Sequence, residues 1–450
     1  MLAKKHLPAI LFLGVVCIGL QACASYEVAP LNVEQIAAPG VHQADLPTNG
    51  DVHSLLKLAL AHDPAVAAAR ATLASAEQAQ KAAKNLPPLS LSLTAEYSKD
   101  ANPDKPWLYG GAVGIPLDIG VKRQTRLTSA DLAVVKARYA LAEAVWSVRQ
   151  RLYTALSELS LSDAEITLSQ TLLDQRLAYQ STMQKRVTAG EDAQGLSAQA
   201  ALDVSGARQS LAQAQARQIQ AQAALARALD ADPEAIKALP SVNMAALDAV
   251  SNAQVSDMVT KSLYNRSDVL LAVIDYDVAE NDLRQAVAAQ YPDINIQPGY
   301  TWERGEVKLP VSLSLTLPPL DGNRAVINAA QSARLAAGKT LEDKVKSTRA
   351  TAIQAAAIYS ADLATAQIIR DHDVPVARDM ADRSQRLKAA GEADQSEALL
   401  AQINAAQTAL NQLQAERTAM TSRLTLEDAL HQSFDPADTQ ILIDTVKVKP

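Results

Sequence analysis

Two periodicities, one of two residues and one helical, divide this chain into two kinds of element. In LSLSLTAEY, Leu89, Leu91, Leu93, Ala95 and Tyr97 alternate with Ser90, Ser92, Thr94 and Glu96. Such alternation marks a strand with one apolar and one polar face. After the polar loop SKDANPDKP it resumes. Trp107, Tyr109, Val113, Ile115 and Leu117 share one face; Gly110, Ala112 and Gly114 share the other. Further on, Ile294, Ile296, Tyr300 and Trp302 alternate with Asp293, Asn295, Gln297 and Thr301. Past ERGE, Val307, Leu309, Val311, Leu313, Leu315 and Leu317 alternate with Lys308, Ser312, Ser314 and Thr316. The pattern predicts two hairpins, with strands near 89–97, 107–117, 293–302 and 307–317. Strands of about ten residues are long enough to cross a bilayer when tilted. One apolar and one polar face is what a membrane barrel with a wet lumen requires. Trp107 and Trp302 stand at loop ends, where an interfacial aromatic belt would lie. A soluble sheet packed on its own helices would show the same alternation. Spanning strands, however, must close into a barrel to satisfy their edges. Four cannot close around a channel, so spanning requires several chains to share one barrel.

Elsewhere the period is helical. One run covers about 52–84. From Val121 to Thr188 no proline intervenes, and Leu141, Val145, Val148, Leu152, Ala155 and Leu159 recur at spacings of four and three. That is a coiled-coil seam. A helix of this length extends ~100 Å at about 1.5 Å per residue, too far for a globular core. Ala189-Gly190-Glu191 breaks it, and another helix runs from about Ala193 to Leu229. A shorter helix lies near 257–290. The sequence continues with a run from about Asn323 to Lys388, a break at Ala390-Gly391-Glu392 and a helix from about Asp394 to Leu430. Pro375 predicts a kink in the third long run. Matched lengths suggest that each long helix lies beside two short ones stacked end to end. The pairs by length are 193–229 with 257–290, and 394–430 with 52–84. The joints, with Asp232-Pro233, Pro240 and the segment after Phe434, would form a belt at mid-height.

The chain is written twice. HDPAVAAARATLASAEQAQKAAKNLPPLSLSL from His62 is answered by NRSDVLLAVIDYDVAENDLRQAVAAQYPDINIQ from Asn265. IPLDIGVKRQTR is answered by PPLDGNRAVINA, and RVTAGEDAQ by RLKAAGEADQ. Pro87, Asp118 and Gly190 thus find counterparts in Pro292, Asp321 and Gly391, in the same order. This is a tandem duplication. The organisation read from it is a signal peptide (1–22), an extended N-terminal segment (23–50), a first repeat (51–250), a second repeat (251–434) and a C-terminal tail (435–450).

Composition narrows the function. The formal net charge is −7, and a chain starting at Cys23 loses Lys4 and Lys5 and becomes more acidic still. Without basic clusters this excludes nucleic acid as a partner. Aromatics are 4% and hydrophobics 48%, largely alanine, which suits closely packed helices better than a large globular core. Lys4 and Lys5 precede an apolar run from Leu7 to Leu20, and Leu20-Gln21-Ala22-Cys23 follows. That reads as a secretory signal, too short to span a bilayer. LQAC resembles a bacterial lipobox, in which Cys23 is acylated and becomes the mature N-terminus. The other reading is an ordinary signal with an incidental cysteine. Ala24 after the cysteine resembles the default for transport to the outer membrane. Only Cys23 survives maturation, so neither a disulfide nor a thiolate cluster is expected. Asp371-His372-Asp373 is the one dense ligand-like group, but adjacent helical side chains diverge, and it reads as a solvated face. No metal site, cofactor or catalytic motif is expected: GxSxG, HExxH and phosphate-loop patterns are missing.

These residues resemble the TolC-like outer-membrane efflux protein family, in its lipoprotein branch, over nearly the whole mature chain. The resemblance rests on Ala59-Leu60-Ala61-His62-Asp63-Pro64, Asn265-Arg266-Ser267-Asp268, Tyr291-Pro292 and Pro319-Leu320-Asp321-Gly322-Asn323-Arg324, in this order behind a lipobox. Ser267 stands where proline is common, Leu320 where an aromatic is common and Asn323 where glycine is usual. The resemblance implies a mainly α fold with membrane β. It implies a trimer whose chains share a 12-stranded β-barrel, continued by a coiled-coil α-barrel tunnel in the periplasm. It implies a lipid-anchored outer-membrane exit duct for a tripartite efflux pump, with no enzymatic step. A periplasmic adaptor and an inner-membrane transporter would complete the path. An exit duct for type I protein secretion and a periplasmic coiled-coil scaffold without a channel are the alternatives. The sites implied are lipidated Cys23, a periplasmic gate at Asp192, Asp394, Glu191 and Glu392, and adaptor-docking tips at Arg186, Gly190, Arg386 and Gly391.

Overall fold

The computed structural model describes residues 26–34, 40–47, 50–99, 105–118, 120–237, 239 and 252–447. The signal peptide, Cys23 and Pro240 lie outside the described residues. Residues 1–40 form a unit of their own, in which 26–34 are exposed. Everything from Val41 onward forms the second unit, which is mainly helical with one small sheet.

The first repeat contains α1 (Val52–His62), α2 (Pro64–Ala83), β1 (Ser90–Tyr97), β2 (Trp107–Pro116), α3 (Val121–Thr188), α4 (Gln194–Leu229) and the short α5 (Pro233–Lys237). The second contains α6 (Asn252–Asn265), α7 (Ser267–Ala288), β3 (Asp293–Glu303), β4 (Glu306–Lys308), β5 (Val311–Thr316), α8 (Arg324–Ile368), α9 (Val374–Ala389) and α10 (Gln395–Leu430). A last helix, α11, spans Pro436–Val446, where the sequence suggested only a tail.

The helical run expected over 52–84 is two helices. Pro64 opens α2, and the Asp63 carboxylate accepts the Ala65 and Val66 N–H groups at 2.8 and 3.1 Å. A proline at the first helical position behind a capping aspartate starts a new helix. The run near 257–290 likewise divides, at Arg266. Pro375 acts through a π turn over Ile369–Asp373, between α8 and α9. Proline cannot donate to the carbonyl four residues back, and a widened turn accommodates the loss.

Helix contacts fix the layout. α2 and α7 pack on the strand-proximal part of α3, where Gln80 reaches Asp131 and Asn281 reaches Ser129. α4 and α10 pack on the remainder, where Arg176 reaches Asp203 and Leu172 packs with Ile403. α7 and α10 also pack on α8, and α9 packs on α10. The order across the unit is therefore α2/α4, α3, α7/α10, α8/α9. This corrects the length-matched pairing: α4 shares a column with α1–α2, and α10 with α6–α7. Two long helices do run beside pairs of short ones, but lengths alone did not identify the partners.

The main core sits where those columns join. Leu55, Leu56, Leu60, Leu141, Val145, Leu152, Leu156, Leu225 and Leu229 are each at most 2% exposed there. Val41 completes it, donating its N–H to the Asp230 carbonyl at 3.0 Å. Away from this equator the apolar clusters shrink to Leu172 with Ile403 and Ala406, and Leu173 with Val204 and Ala207.

The strands form an antiparallel sheet in the order β1-β2-β3, with β4 and β5 both on the far edge of β3. The expected strand 307–317 is thus interrupted at Leu309-Pro310. Its register continues across the gap, and the Pro310 carbonyl still accepts from Gly299 at 2.8 Å. Arg304 and Gly305, at φ 48° and 105°, make the two-residue hairpin turn. β2 and β3 join the two repeats within one sheet. No helix among the described residues is long and apolar enough to cross a membrane.

Candidate functional site

The register places like beside like. Leu91 faces Val113 and Tyr97 faces Trp107. Tyr109 faces Trp302 and Ile115 faces Ile296. Ile296 faces Leu313 and Ile294 faces Leu315. One continuous apolar face results, and it is uncovered: Leu93, Val311 and Leu313 are 73%, 74% and 62% exposed. Removing one such side chain from water is worth about 1.5–3 kcal/mol, so this face requires apolar surroundings. A contiguous exposed apolar patch marks an interaction surface. Rings near the hairpin ends make a chain, Tyr97–Trp107, Trp107–Tyr109 and Tyr109–Trp302, with centroids 5.1, 5.7 and 6.1 Å apart. The opposite face carries Ser90, Ser92, Thr94, Asn295, Gln297, Thr301, Ser312 and Ser314. Small residues are needed in its middle, since a β-carbon at Gly114 would lie 2.2 Å from the Ser90 hydroxyl oxygen. A soluble sheet packed on its own helices would bury the apolar face, and this one does not.

At the other end of the helices are two turns. Gly190 and Gly391 adopt φ 78° and 76°, the left-handed conformation that ends a helix most readily with glycine. Glu191 N–H returns to the Arg186 carbonyl and Glu392 N–H to the Leu387 carbonyl, each at 2.9 Å. These bonds fix which residues correspond. Arg186 matches Leu387, and Arg386 matches Lys185. The two tip arginines are therefore not equivalent, because the extra alanine of Ala389-Ala390 sets Arg386 back by one. Arg186 donates to Asp192 in its own turn and to Asp394 in the other, with Glu191 4.0 Å away. Asp394 also accepts from the Ser396 hydroxyl at 2.7 Å. That hydrogen bond, nearby backbone N–H groups and Arg186 hold its carboxyl below the usual carboxylate range. Asp192 above all raises the Arg186 guanidinium. Three of the four acids singled out in the sequence therefore gather around one arginine. Glu392 and Arg386 are exposed and do not join them.

The equator holds a polar cluster that sequence reasoning missed. Arg149 on α3 is 1% exposed. It meets Glu427 at 2.7 Å and Asp438 at 2.9 Å, and its guanidinium lies 4.3 Å from the Tyr153 ring centre. Tyr153 donates to Asp438 at 2.5 Å. Burial, seconded by Asp438, pushes the Tyr153 phenol well above its ordinary value. Burial works against the Arg149 charge, but Glu427 and Asp438 outweigh it and raise the group. The Trp146 N–H donates to Asp428 at 2.8 Å, and His431 stacks on the Trp146 ring. Lower on α3, Glu165 accepts from Arg217 of α4 and from Arg417 of α10, the latter at 2.5 Å. Burial opposes that charge, yet the two guanidiniums win and lower the carboxyl. The signal available in the sequence was a charged residue on an apolar helical seam, at Arg149 within Val145-Trp146-Ser147-Val148-Arg149.

The family model for outer membrane efflux protein matches residues 55–231 and again 258–431. The chain belongs to the outer membrane efflux protein family. As a member it is an outer-membrane efflux channel, a transport conduit and not an enzyme. Solved structures agree on the fold. The outer membrane protein VceC of Vibrio cholerae matches with a TM-score of 0.68 at 18% identity, over 85% of this chain and 97% of that one. The outer-membrane channel OprN matches with a TM-score of 0.70 at 17% identity, over 92% and 99%. The MtrE outer membrane channel of Neisseria gonorrhoeae, in its open state, matches with a TM-score of 0.66 at 16% identity, over 91% and 97%. A comparison with curated proteins finds no match.

Where this efflux protein departs from its family pattern, the geometry supplies reasons. Asn323 adopts φ 63° and donates from its amide to the Ala286 carbonyl at 2.8 Å. Asparagine is among the few residues other than glycine that visit this region readily. Ser267 starts α7, and its hydroxyl donates to Glu143 at 2.6 Å. Leu320 is fully exposed beside the sheet, so no internal packing demands an aromatic ring. The repeat-opening Asn265-Arg266-Ser267-Asp268 serves the structure, because Arg266 donates to the carbonyls of Ala429 and Asp428 at the end of α10. It also pairs with Asp268 at 2.7 Å. A guanidinium at a helix C-terminus satisfies carbonyls that have no partner within the helix.

Proposed function

We propose that three copies of this chain close one 12-stranded β-barrel in the outer membrane, continued by a helical tunnel into the periplasm. The assembly is the exit duct of a tripartite efflux pump. The observation that carries this reading is the sheet. Its strands have 8, 10 and 11 residues, and the broken fourth runs from Glu306 to Thr316. These are bilayer-crossing lengths. One face is exposed leucine and valine, the other serine, threonine and glycine. Both outer edges, of β1 and of β4–β5, have no strand partner among the described residues. A ribbon with a lipid-seeking face and two open edges is stable in a membrane only when closed by further copies.

Conduction follows from the two surfaces. The polar face replaces part of the cargo's water contacts, while the apolar face anchors in lipid. No residue supplies free energy, so an inner-membrane transporter drives outward movement and a periplasmic adaptor joins the two. The adaptor seats on the turns at Gly190 and Gly391, with Arg186 and Arg386 beside them. Asp192, Asp394, Glu191 and Glu392 form the resting mouth. Cys23 carries a covalent lipid, palmitate among its acyl chains, that assists assembly.

Sedimentation of the purified protein in detergent should give a trimer that forms conducting pores in planar bilayers. A stable monomer with intact strand content would overturn the reading. Mass spectrometry of the mature N-terminus should find acylated Cys23; an unmodified terminus elsewhere would remove the lipid anchor from the proposal.

A further inference from the structure

We propose that His53, Asp435 and Asp438 bind one divalent transition-metal ion of the zinc class where α1, α3 and α11 meet. His53 Nε2 lies 2.9 Å from Asp435 Oδ2 and 3.6 Å from Asp438 Oδ1. One donor atom from each residue lies within 4.8 Å of the others. A tetrahedral ion with bonds of about 2.0–2.2 Å holds its ligands about 3.3–3.6 Å apart. The two His53 distances bracket that spacing, and the two carboxylate oxygens start within 4.8 Å of each other.

The surroundings are arranged as for a ligand set. His53 Nδ1 faces Asp51 Oδ1 at 3.6 Å, and Asp51 is itself held by the Ser54 N–H and hydroxyl at 2.9 and 2.6 Å. The 3.6 Å from His53 Nδ1 to Asp51 is longer than a hydrogen bond, so Asp51 becomes an outer partner of the ring only by closing on Nδ1 when Nε2 gives up its hydrogen bond to Asp435 for a metal. Asp438 is fully buried. Its Oδ2 is occupied by Arg149 and Ser433, while Oδ1 takes the Tyr153 hydroxyl and lies 3.6 Å from His53 Nε2. Asp435 accepts the Ala437 N–H on Oδ1 at 2.8 Å, which leaves Oδ2 to the cluster. Charge points the same way. Arg149 is shared between Asp438 and Glu427, and Arg423 pairs with Glu427, while the pairs that Asp51 and Asp435 make in this cluster are with His53. His53 and Asp435 are each about one-third exposed, which leaves an entry path and a fourth position for water. One imidazole and two carboxylates without thiolate suit zinc or its first-row neighbours. The bound ion ties α11 to α1 beside the Arg149 cluster and so braces the equator.

The test is titration of the full chain, purified in detergent and stripped with EDTA, with zinc chloride at neutral pH. Calorimetry should find one strong site per chain, and the thermal unfolding midpoint should rise with zinc. His53→Ala and Asp435→Asn should each abolish the strong site and the rise. Asp51→Asn should weaken it by about 10–100-fold, as outer-shell changes do. His372→Ala, in the exposed Asp371-His372-Asp373 group, should change nothing. Cobalt(II) in place of zinc should give a visible absorption of four-coordinate intensity that His53→Ala removes. No strong site in the unaltered chain would overturn the proposal. So would a site that persists in both His53→Ala and Asp435→Asn, or one that His372→Ala removes. A variant that fails to fold is replaced by His53→Gln, for which loss of the cobalt band is required.

Discussion

The equator and the tips of this molecule are built on the same helices and held by opposite means. At the equator α3 is surrounded by α1, α4, α10 and α11, and leucines with almost no exposure fill the space between them. Its central charges, Arg149, Glu427 and Asp438, are buried and each has more than one partner. Toward the tips the apolar clusters fall to three residues, each with one leucine and one alanine, and the last link is the partly exposed Arg186 with Asp192 and Asp394. Buried charge pairs resist removal of one partner strongly, whereas exposed pairs contribute little to stability. One chain thus has a waist that resists deformation and ends that are easy to move.

Breaking the waist should have the largest effect. Arg149→Leu takes from buried Asp438 its guanidinium and leaves buried Glu427 with Arg423 alone, and should cost about 3–5 kcal/mol in denaturant unfolding followed by circular dichroism. A loss below about 1 kcal/mol, the range of exposed pairs, would mean that the equator is not the rigid element. Next comes the sheet, as a control outside both regions. Leu313→Arg on the exposed apolar face should cost about 2–4 kcal/mol near a bilayer midplane, read from refolding into liposomes, with the helical part unaffected in detergent. Equal stability in liposomes would place this face out of lipid.

Glu165 lies between the two regimes and sharpens the boundary. Glu165→Gln should cost about 1.5–3 kcal/mol at neutral pH, the worth of hydrogen bonds to a charged group. Because the folded-state carboxyl is lowered, its contribution is present above the ordinary value of about 4.3 and is lost as pH falls through the lowered one. Stability curves of the variant and the parent should therefore converge below about pH 4. Parallel curves down to acid unfolding would show that Glu165 bears none of the load. The smallest stability effect belongs to the tip. Asp192→Ala with Asp394→Ala should leave unfolding unchanged while altering single-channel conductance or cation selectivity. If both electrical properties stay as they were, the mouth is closed elsewhere in the tunnel.

Much of this was legible before any coordinates. The alternation at Leu89–Tyr97 and its three relatives located the strands and their faces, because a pleat admits only two sides. The seam from Leu141 to Leu159 gave the long α3. Elements set by contacts distant in sequence were less accessible. The helix break at Arg266 depends on carbonyls of α10, and the column partners depend on which short helices meet at the equator. Helix α11 looked like a tail because its anchor, Asp438, is held by Arg149 and Tyr153, hundreds of residues earlier. Among site residues, Asp192 and Asp394 were identifiable as acids just past glycine breaks. That Arg186 alone would hold both was hidden by one added alanine.

That alanine has a consequence for stoichiometry. Duplication doubled the turns, but the arginine link belongs to the first copy alone, since Leu387 occupies the matching place in the second. In the proposed trimer there are six turns and three links, so the end of the tunnel repeats once per chain and not once per repeat. A partner binding six-fold around it would meet two unlike seats in alternation. One binding three-fold would meet a single kind, spanning Gly190 and Gly391 together.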